Sequence, residues 1–504
     1  MGGFFGVVAA SDCVTEVFYG TDYHSHLGTR RGGMAVQTED GTLRRRIHDI
    51  TNSQFKTKFD SVLSEWKGKC AIGIISDFED QPLLVSSRLG TYAIVTVGKI
   101  ENIKELAEES YKTGIFFSEM SGGELNPTEM IASLINQKSD IIDGIQYAMD
   151  SIKGSCSLLI MIDGKIIAAR DKFGRTPVSL AKRNVDGAVG VSMETSAFPN
   201  LDFTYLRDLG PGEIVQLSLN AIKQLKKPGE INQICSFFWV YFGYPSSNFE
   251  GINTETSRYR NGEGIAEGDD YENIDSICGI PDSGVAHAIG YSNASGKPYQ
   301  RALVKYTPTW PRSFTPQSQA ARNLVAKMKL IPVEEQIRDK RLLFLDDSIV
   351  RGTQFKDIAR RLYERGAKAV HLRSASPPIM FPCKFLNFSR SRSTLDLAAP
   401  RAVELLEGHP VDDPELLKKY ITEGTEQYNA MVEVIRKELG LTTLKYQTLD
   451  KLIAAIGLPK EKICTYCYDG CDPTSGNCPM CERLKESIKK DNNAEEAVKK
   501  DRQS

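Results

Sequence analysis

No stretch of about 18 consecutive apolar residues occurs in the 504-residue chain, so no membrane-spanning helix is expected. Charge of one sign is equally missing. Lysine and arginine number 63 against 65 aspartates and glutamates, a formal net charge of -2. That balance argues against a nucleic-acid-binding protein, though it allows a local basic patch. The N-terminal stretch has neither a basic region nor a signal-type apolar core, which makes the cytoplasm the expected location. Repeats and low-complexity tracts are lacking, apart from a charged tail over 485–504 expected to be disordered. With 41% apolar and 25% charged residues, the chain has an ordinary globular composition and the length for two or three full cores.

Cysteine is not scarce. Eleven are present, and disulfides are not expected of them in a cytoplasmic protein. Five crowd into 464–481, which points to metal. Cys464, Cys467, Cys478 and Cys481 form C-x2-C-x10-C-x2-C, a spacing compatible with zinc. Cys13, Cys70, Cys156 and Cys278 lie in or near apolar segments and read as core residues.

Residues 1–225 alternate short apolar strands (4–9, 70–75, 92–97, 157–162, 165–169) with helical stretches such as 101–112. The basic run 223–229 ends in Pro-Gly and reads as a linker. Beyond it, strands at 274–280, 302–306, 341–345 and 369–374 alternate with helices, which predicts a parallel sheet. Residues 395–460 read as helical, with apolar positions at helical spacing in 416–435 and 449–456.

The segment with most chemistry follows the strand at 341–345. Asp346 and Asp347 stand at its carboxyl end, where open α/β sheets place their ligands. Ser348, Val350, Arg351, Gly352 and Thr353 then form a short polar loop ahead of a helix predicted over 354–366. Backbone N–H groups at a helix N-terminus, with two hydroxyls, make a phosphate cradle. Two acids beside such a cradle suit a sugar phosphate, the carboxylates taking ribose hydroxyls or Mg2+. Ile280-Pro281-Asp282-Ser283-Gly284 is a second candidate anion loop between a strand and a helix.

The block around Asp346 and Asp347 resembles the phosphoribosyl pyrophosphate (PRPP) motif of type I phosphoribosyltransferases. With 280–284, the segment 296–299 and Arg312-Ser313-Phe314-Thr315-Pro316-Gln317, the chain resembles the amidophosphoribosyltransferase family over nearly its whole length. The resemblance implies that Asp282, Ser283 and Gly284 form a pyrophosphate loop. It also implies that Lys305 and Arg312 neutralise pyrophosphate, and that 312–329 closes over PRPP. The implied fold is α/β and α+β: an N-terminal Ntn-hydrolase-like αββα sandwich (1–225), a type I phosphoribosyltransferase parallel sheet (226–395), a helical C-terminal region with a Cys-rich metal-binding segment (396–483) and the tail (484–504). The implied activity is formation of 5-phosphoribosylamine from PRPP and ammonia, the first step of purine synthesis, by a homo-oligomer.

In that family a terminal cysteine, exposed after Met removal, releases ammonia from glutamine. Gly2 stands in its place. Ser76 replaces the arginine that clamps the glutamine carboxylate, Val97 the oxyanion-hole asparagine, and Pro127 the aspartate that binds the amine, while Gly98 is retained. Glutamine hydrolysis needs all four groups, and the expectation is therefore a folded but glutaminase-dead domain. The stretch 23–33, polar, basic and rich in glycine, reads equally as an anion site or a solvated turn. A non-catalytic PRPP or nucleotide sensor, or a partner subunit of an active paralogue, is the alternative to an ammonia-dependent transferase. Some family members hold a [4Fe–4S] cluster on four cysteines, and Cys235, Cys383, Cys464 and Cys467 match them. That set is preferred to local zinc, which leaves Cys235 and Cys383 unexplained.

Overall fold

The computed structural model describes residues 2–121, 123–306, 329–387, 394–411 and 413–472. Two stacked antiparallel sheets organise the first half. One runs in the order Thr204–Asp208, Ser179–Lys182, Val189–Ser192, Gly3–Val8, Cys70–Ser76, Arg31–Gln37, Leu43–Asp49. The other runs Ala221–Lys226, Ile214–Ser218, Lys165–Ala169, Gly154–Ile162, Gly90–Ile100, Leu83–Ser87. Ile72, Leu159 and Ile166 meet at Gly6 between the two sheets, a dry interface built by the inward positions of each strand. Helix Val14–Asp22 covers the outer face of the first sheet, and Pro127–Asn136 with Ile141–Ser151 covers the second. The layers are therefore αββα, as expected.

The central strands read as continuous apolar runs because both of their faces are buried. Cys70–Ser76 has no exposed residue. The run expected to be a linker is a strand over its first part: Lys223 and Gln224 pair with Gln216 and Val215. Its charges face outward along an edge strand, which composition alone does not separate from a loop.

The second half is built on a four-stranded, wholly parallel sheet in the order Ser276–Gly279, Arg341–Asp346, Ala369–Ser374, Thr443–Tyr446. Two expectations change here. The segment 302–306 does not join this sheet; Leu303–Lys305 pairs with Leu330–Pro332 in a separate two-stranded unit. Conversely, the region read as helical contributes Thr443–Tyr446 as the sheet edge. The helices around it are Pro414–Lys418, Glu426–Leu439 and Leu449–Ile456. A buried ion pair braces this sheet. Arg373 reaches Asp269 at 2.6 and 3.1 Å, and Lys445 and Tyr291 complete the carboxylate at 2.7 and 2.8 Å. No described helix is long and apolar enough to cross a membrane.

Candidate active site

Strand Arg341–Asp346 delivers two carboxylates to the carboxyl edge of the parallel sheet. Asp347 is 7% exposed, and Asp346 is half-buried beside it. Asp347 N–H donates to Asp346 Oδ1 at 3.0 Å, and the hydroxyls of Ser348 and Ser283 donate to Asp347. Burial, reinforced by the neighbouring Asp347 charge, pushes Asp346 well above the ordinary carboxylate range. Burial also raises Asp347, against the opposing pull of Ser283, Ser348 and Arg258. A divalent cation suits this donor set, because Mg2+ is commonly held by one or two carboxylates together with substrate phosphates.

The loop after the acids turns into helix Thr353–Glu364 through Gly352, whose φ of +76° lies in the left-handed region. A glycine there lets the backbone N–H groups of the first turn face outward, unblocked by a side chain. Across from it, the loop 280–284 approaches so closely that a Cβ on Gly284 would stand 2.2 Å from the Leu345 carbonyl oxygen. The two anion loops are thus held against one another at the ends of adjacent strands. Lys305 Nζ sits 2.5 Å from Asp282 Oδ2, with both groups exposed. One cleft of about 2020 Å3 takes in Asp282, Ser283, Lys305, Asp346, Asp347 and the loop 348–353. Arg312 and nearly all of 312–329 fall outside the described residues, as do Cys478 and Cys481.

Arg258 was not anticipated. It lies on helix Thr254–Ala266, is 5% exposed, and donates to the carbonyls of Trp239, Tyr241 and Gly243 at 2.8 to 3.1 Å. Its charge acts on Asp347 from one side and on Glu194 of the first half from the other. Glu194 is wholly buried. It faces His26 Nε2 at 3.0 Å and accepts the Tyr244 N–H at 3.2 Å. Burial works against a charged His26, and the Glu194 carboxylate outweighs it, so the imidazole is held above its ordinary value.

The positions compared with a glutaminase also come together. Gly2, Ser76, Thr96, Val97 and Gly98 line one enclosure of about 10 Å3, room for roughly a single water. A Cβ on Gly2 would meet the Ile75 carbonyl oxygen at 2.5 Å. The Ser76 hydroxyl is spent locally, donating to Glu79 and accepting the N–H groups of Phe78 and Glu79. Pro127 opens its helix just outside, with Asn126 as the cap. In the stretch 23–33, His24 is core, its Nδ1 on Gly20 O at 2.8 Å, and Arg31 is committed to Asp49 and Asp80. Thr29 and Arg30 line the large cleft, which reaches the rim of the small enclosure at Asp77, Phe78 and Glu79.

Residues 69–200 match the family described as a glutamine amidotransferase domain. Over 488 residues the chain is 30% identical to the amidophosphoribosyltransferase of Bacillus subtilis, spanning 94% of each protein. The chain belongs to the amidophosphoribosyltransferase family. It is also 30% identical to the Methanocaldococcus jannaschii amidophosphoribosyltransferase, over 95% of this chain and 98% of that one. Among solved structures, the B. subtilis glutamine PRPP amidotransferase complexed with ADP and GMP superposes with a TM-score of 0.79 at 30% identity. The match covers 94% of this chain and 97% of that one.

Within this family member, cysteines from three distant segments of the chain approach one another. Cys235 and Cys464 are register partners in a short parallel pair, Ile234–Cys235 with Ile463–Cys464. The charge of Cys467 couples to Cys235, Cys383 and Cys464 together. The sulfur of Cys383 accepts the N–H groups of Phe385 and Leu386 at 3.4 and 3.3 Å, an arrangement suited to a thiolate. No group of three or more His, Cys, Asp or Glu among the described residues is drawn tightly enough for a single metal ion. A cluster that carries its own iron and sulfide is a larger body, and its ligands stand further apart than those of one ion. Cys13, Cys70, Cys156 and Cys278 are buried core thiols.

Proposed function

We propose that the chain is an ammonia-dependent amidophosphoribosyltransferase, forming 5-phosphoribosylamine from PRPP, whose glutaminase half is inactive. The observation that carries this reading is the contrast of linings. Asp346, Asp347 and the loop 348–353 line an open cleft at the parallel sheet, whereas the small pocket at Gly2, Ser76, Val97 and Gly98 has neither a thiol nor a guanidinium in its lining.

In this reading the backbone of 348–353 and the hydroxyls of Ser348 and Thr353 hold the 5′-phosphate, helped by the positive end of the following helix. Asp346 and Asp347 hold the ribose hydroxyls and Mg2+, which when bound offsets the charge of the pyrophosphate. Asp282, Ser283 and Gly284 cradle the pyrophosphate, and Lys305 leaves Asp282 to pair with it. Ammonia attacks the anomeric carbon as the bond to pyrophosphate breaks. The carboxylates stabilise the positive charge that develops on the ribose, so the protein contributes positioning and electrostatics and no nucleophile. Cys235, Cys383, Cys464 and Cys467 hold a [4Fe–4S] cluster as a structural element.

The test is pyrophosphate release by the purified protein with PRPP and Mg2+, comparing ammonium at alkaline pH with glutamine. Turnover with ammonium alone is expected. Turnover with glutamine would overturn the inactive-glutaminase part. Silence with both would move the reading to a PRPP sensor or a partner subunit of an active paralogue.

A further inference from the structure

Two buried arginines five positions apart behave in opposite ways. Arg170 is fully buried and fully satisfied: Nε donates to Thr176 O at 2.9 Å, Nη2 to Gly174 O at 2.7 Å, Nη1 to Leu209 O, and Glu250 pairs with it at 2.7 Å. Arg175, 1% exposed, has no hydrogen-bond partner on Nε, Nη1 or Nη2. A guanidinium cannot shed its charge by deprotonation, and leaving it buried and unpaired costs several kcal/mol. Natural structures rarely tolerate such a group without an explanation.

The surroundings indicate what is owed to it. The faces of the guanidinium are occupied, with Phe385 at 3.5 Å and Phe173 at 4.9 Å, which fixes its plane and leaves the N–H edges open. The guanidinium stands beside the thiols, since the Phe385 it stacks on donates its own N–H to Cys383 Sγ at 3.4 Å. The nearest acid in sequence, Asp171, is spent on the backbone N–H groups of Cys156, Phe173 and Arg175. Of the lysines near Cys383, Lys99 is committed to Glu101 and to the Cys383 carbonyl at 2.9 Å, and Lys384 lies over the Tyr466 ring at 5.1 Å. The Arg175 carbonyl accepts the Cys235 N–H at 3.1 Å, tying this turn of the first domain to the first cysteine.

We infer that Arg175 is the counter-ion and N–H donor of the anionic group held by the four cysteines, a positioning residue supplied to that group by the N-terminal domain. The inference rests on the reading of those thiols as a [4Fe–4S] site. A cluster on four thiolates is anionic, and N–H donors and positive charge near its sulfurs favour the more negative, reduced state. Removing the guanidinium therefore lowers the reduction potential. The residue is invisible to a comparison of ligand positions, because it lies in a different domain from all four cysteines.

The experiment uses full-length protein purified without oxygen. Iron and acid-labile sulfide are quantified, and the midpoint potential is read by spectroelectrochemistry for wild type, R175M and R175K. The expected result is iron-loaded R175M with its midpoint moved to lower potential, and R175K, which keeps the charge but not the planar fork, moved less. An iron-loaded R175M with the wild-type midpoint overturns the role of Arg175 while the cluster stands. Wild type without iron and sulfide overturns the cluster, and this inference with it. Should R175M fail to hold iron, R175K decides: a lowered midpoint supports the role, and an unchanged one overturns it.

Discussion

The two halves of the molecule each bring candidate site residues together, and the two groups are built in opposite ways. At the parallel sheet, polar groups converge and stay available. Asp346 and Asp347 share a cleft of about 2020 Å3 with the two loops that contain Gly284 and Gly352. At the antiparallel sandwich, Ser76 is bound into its own turn, Val97 presents hydrocarbon, and both line a pocket of about 10 Å3 beside the large cleft. The core of the sandwich does not depend on this site. Ile72, Leu159 and Ile166 pack between the sheets whatever stands at position 2.

The largest effect that tests this contrast lies in the open site. Asp347→Asn should lower ammonium-dependent pyrophosphate release about 100- to 1000-fold, the usual consequence of removing one electrostatic stabiliser. A variant within a few-fold of wild type would show that the acids are not the working groups.

Beneath that site the Arg373–Asp269 pair is the structural counterpart. Asp269→Asn leaves Arg373 buried beside a neutral group and should cost about 3 kcal/mol in denaturant unfolding. A loss no larger than that of a surface substitution would mean the brace contributes nothing to the sheet.

Acid sensitivity should separate the halves by a smaller margin. Burial lowers His24 in the first half to about 4 and His287 in the second to about 3, from 6.5. Because the folded pKa lies below the unfolded one, the unfolded chain takes up the proton first as pH falls. The stabilisation is complete above pH 6.5 and is lost on acidification through the folded pKa, at about 1.4 kcal/mol per pH unit for each histidine. His24→Gln should flatten the fall of Tm between pH 6.5 and 4, leaving the His287 share; an unchanged slope would count against a neutral buried His24.

The smallest expected effect is none. Gly2→Cys should not create glutamine-dependent turnover, because its Cβ meets the Ile75 carbonyl and because Ser76, Val97 and Pro127 supply no clamp or oxyanion donor. Glutamate release above the wild-type background would collapse the contrast between the two sites.

The acids and their loop were legible because the chemistry is contiguous: a buried strand, two carboxylates and a glycine at the helix entrance stand within a dozen residues. Arg258 was not. Its helix, Thr254–Ala266, is mostly polar and reads as a solvated face, yet Ser257, Arg258 and Asn261 are buried in it. Its hydrogen bonds go to the carbonyls of 239–243, which no local pattern announces. The strand Thr443–Tyr446 escaped for a related reason: four residues between helices carry too little period-two signal, and its place at the sheet edge depends on pairing with Ala369–Ser374.

By itself, the sequence determined the layers, the family and the acids at the strand end. All of these follow from local residue chemistry or from residue-by-residue likeness. Only the tertiary structure decided that Gly2, Ser76 and Val97 line one small pocket. Only it seated Arg258 on the carbonyls of 239–243 and stacked Arg175 on Phe385, whose N–H donates to Cys383. Burial and partnership are relations between segments far apart in the chain, and a charge acquires its meaning from what the fold puts beside it.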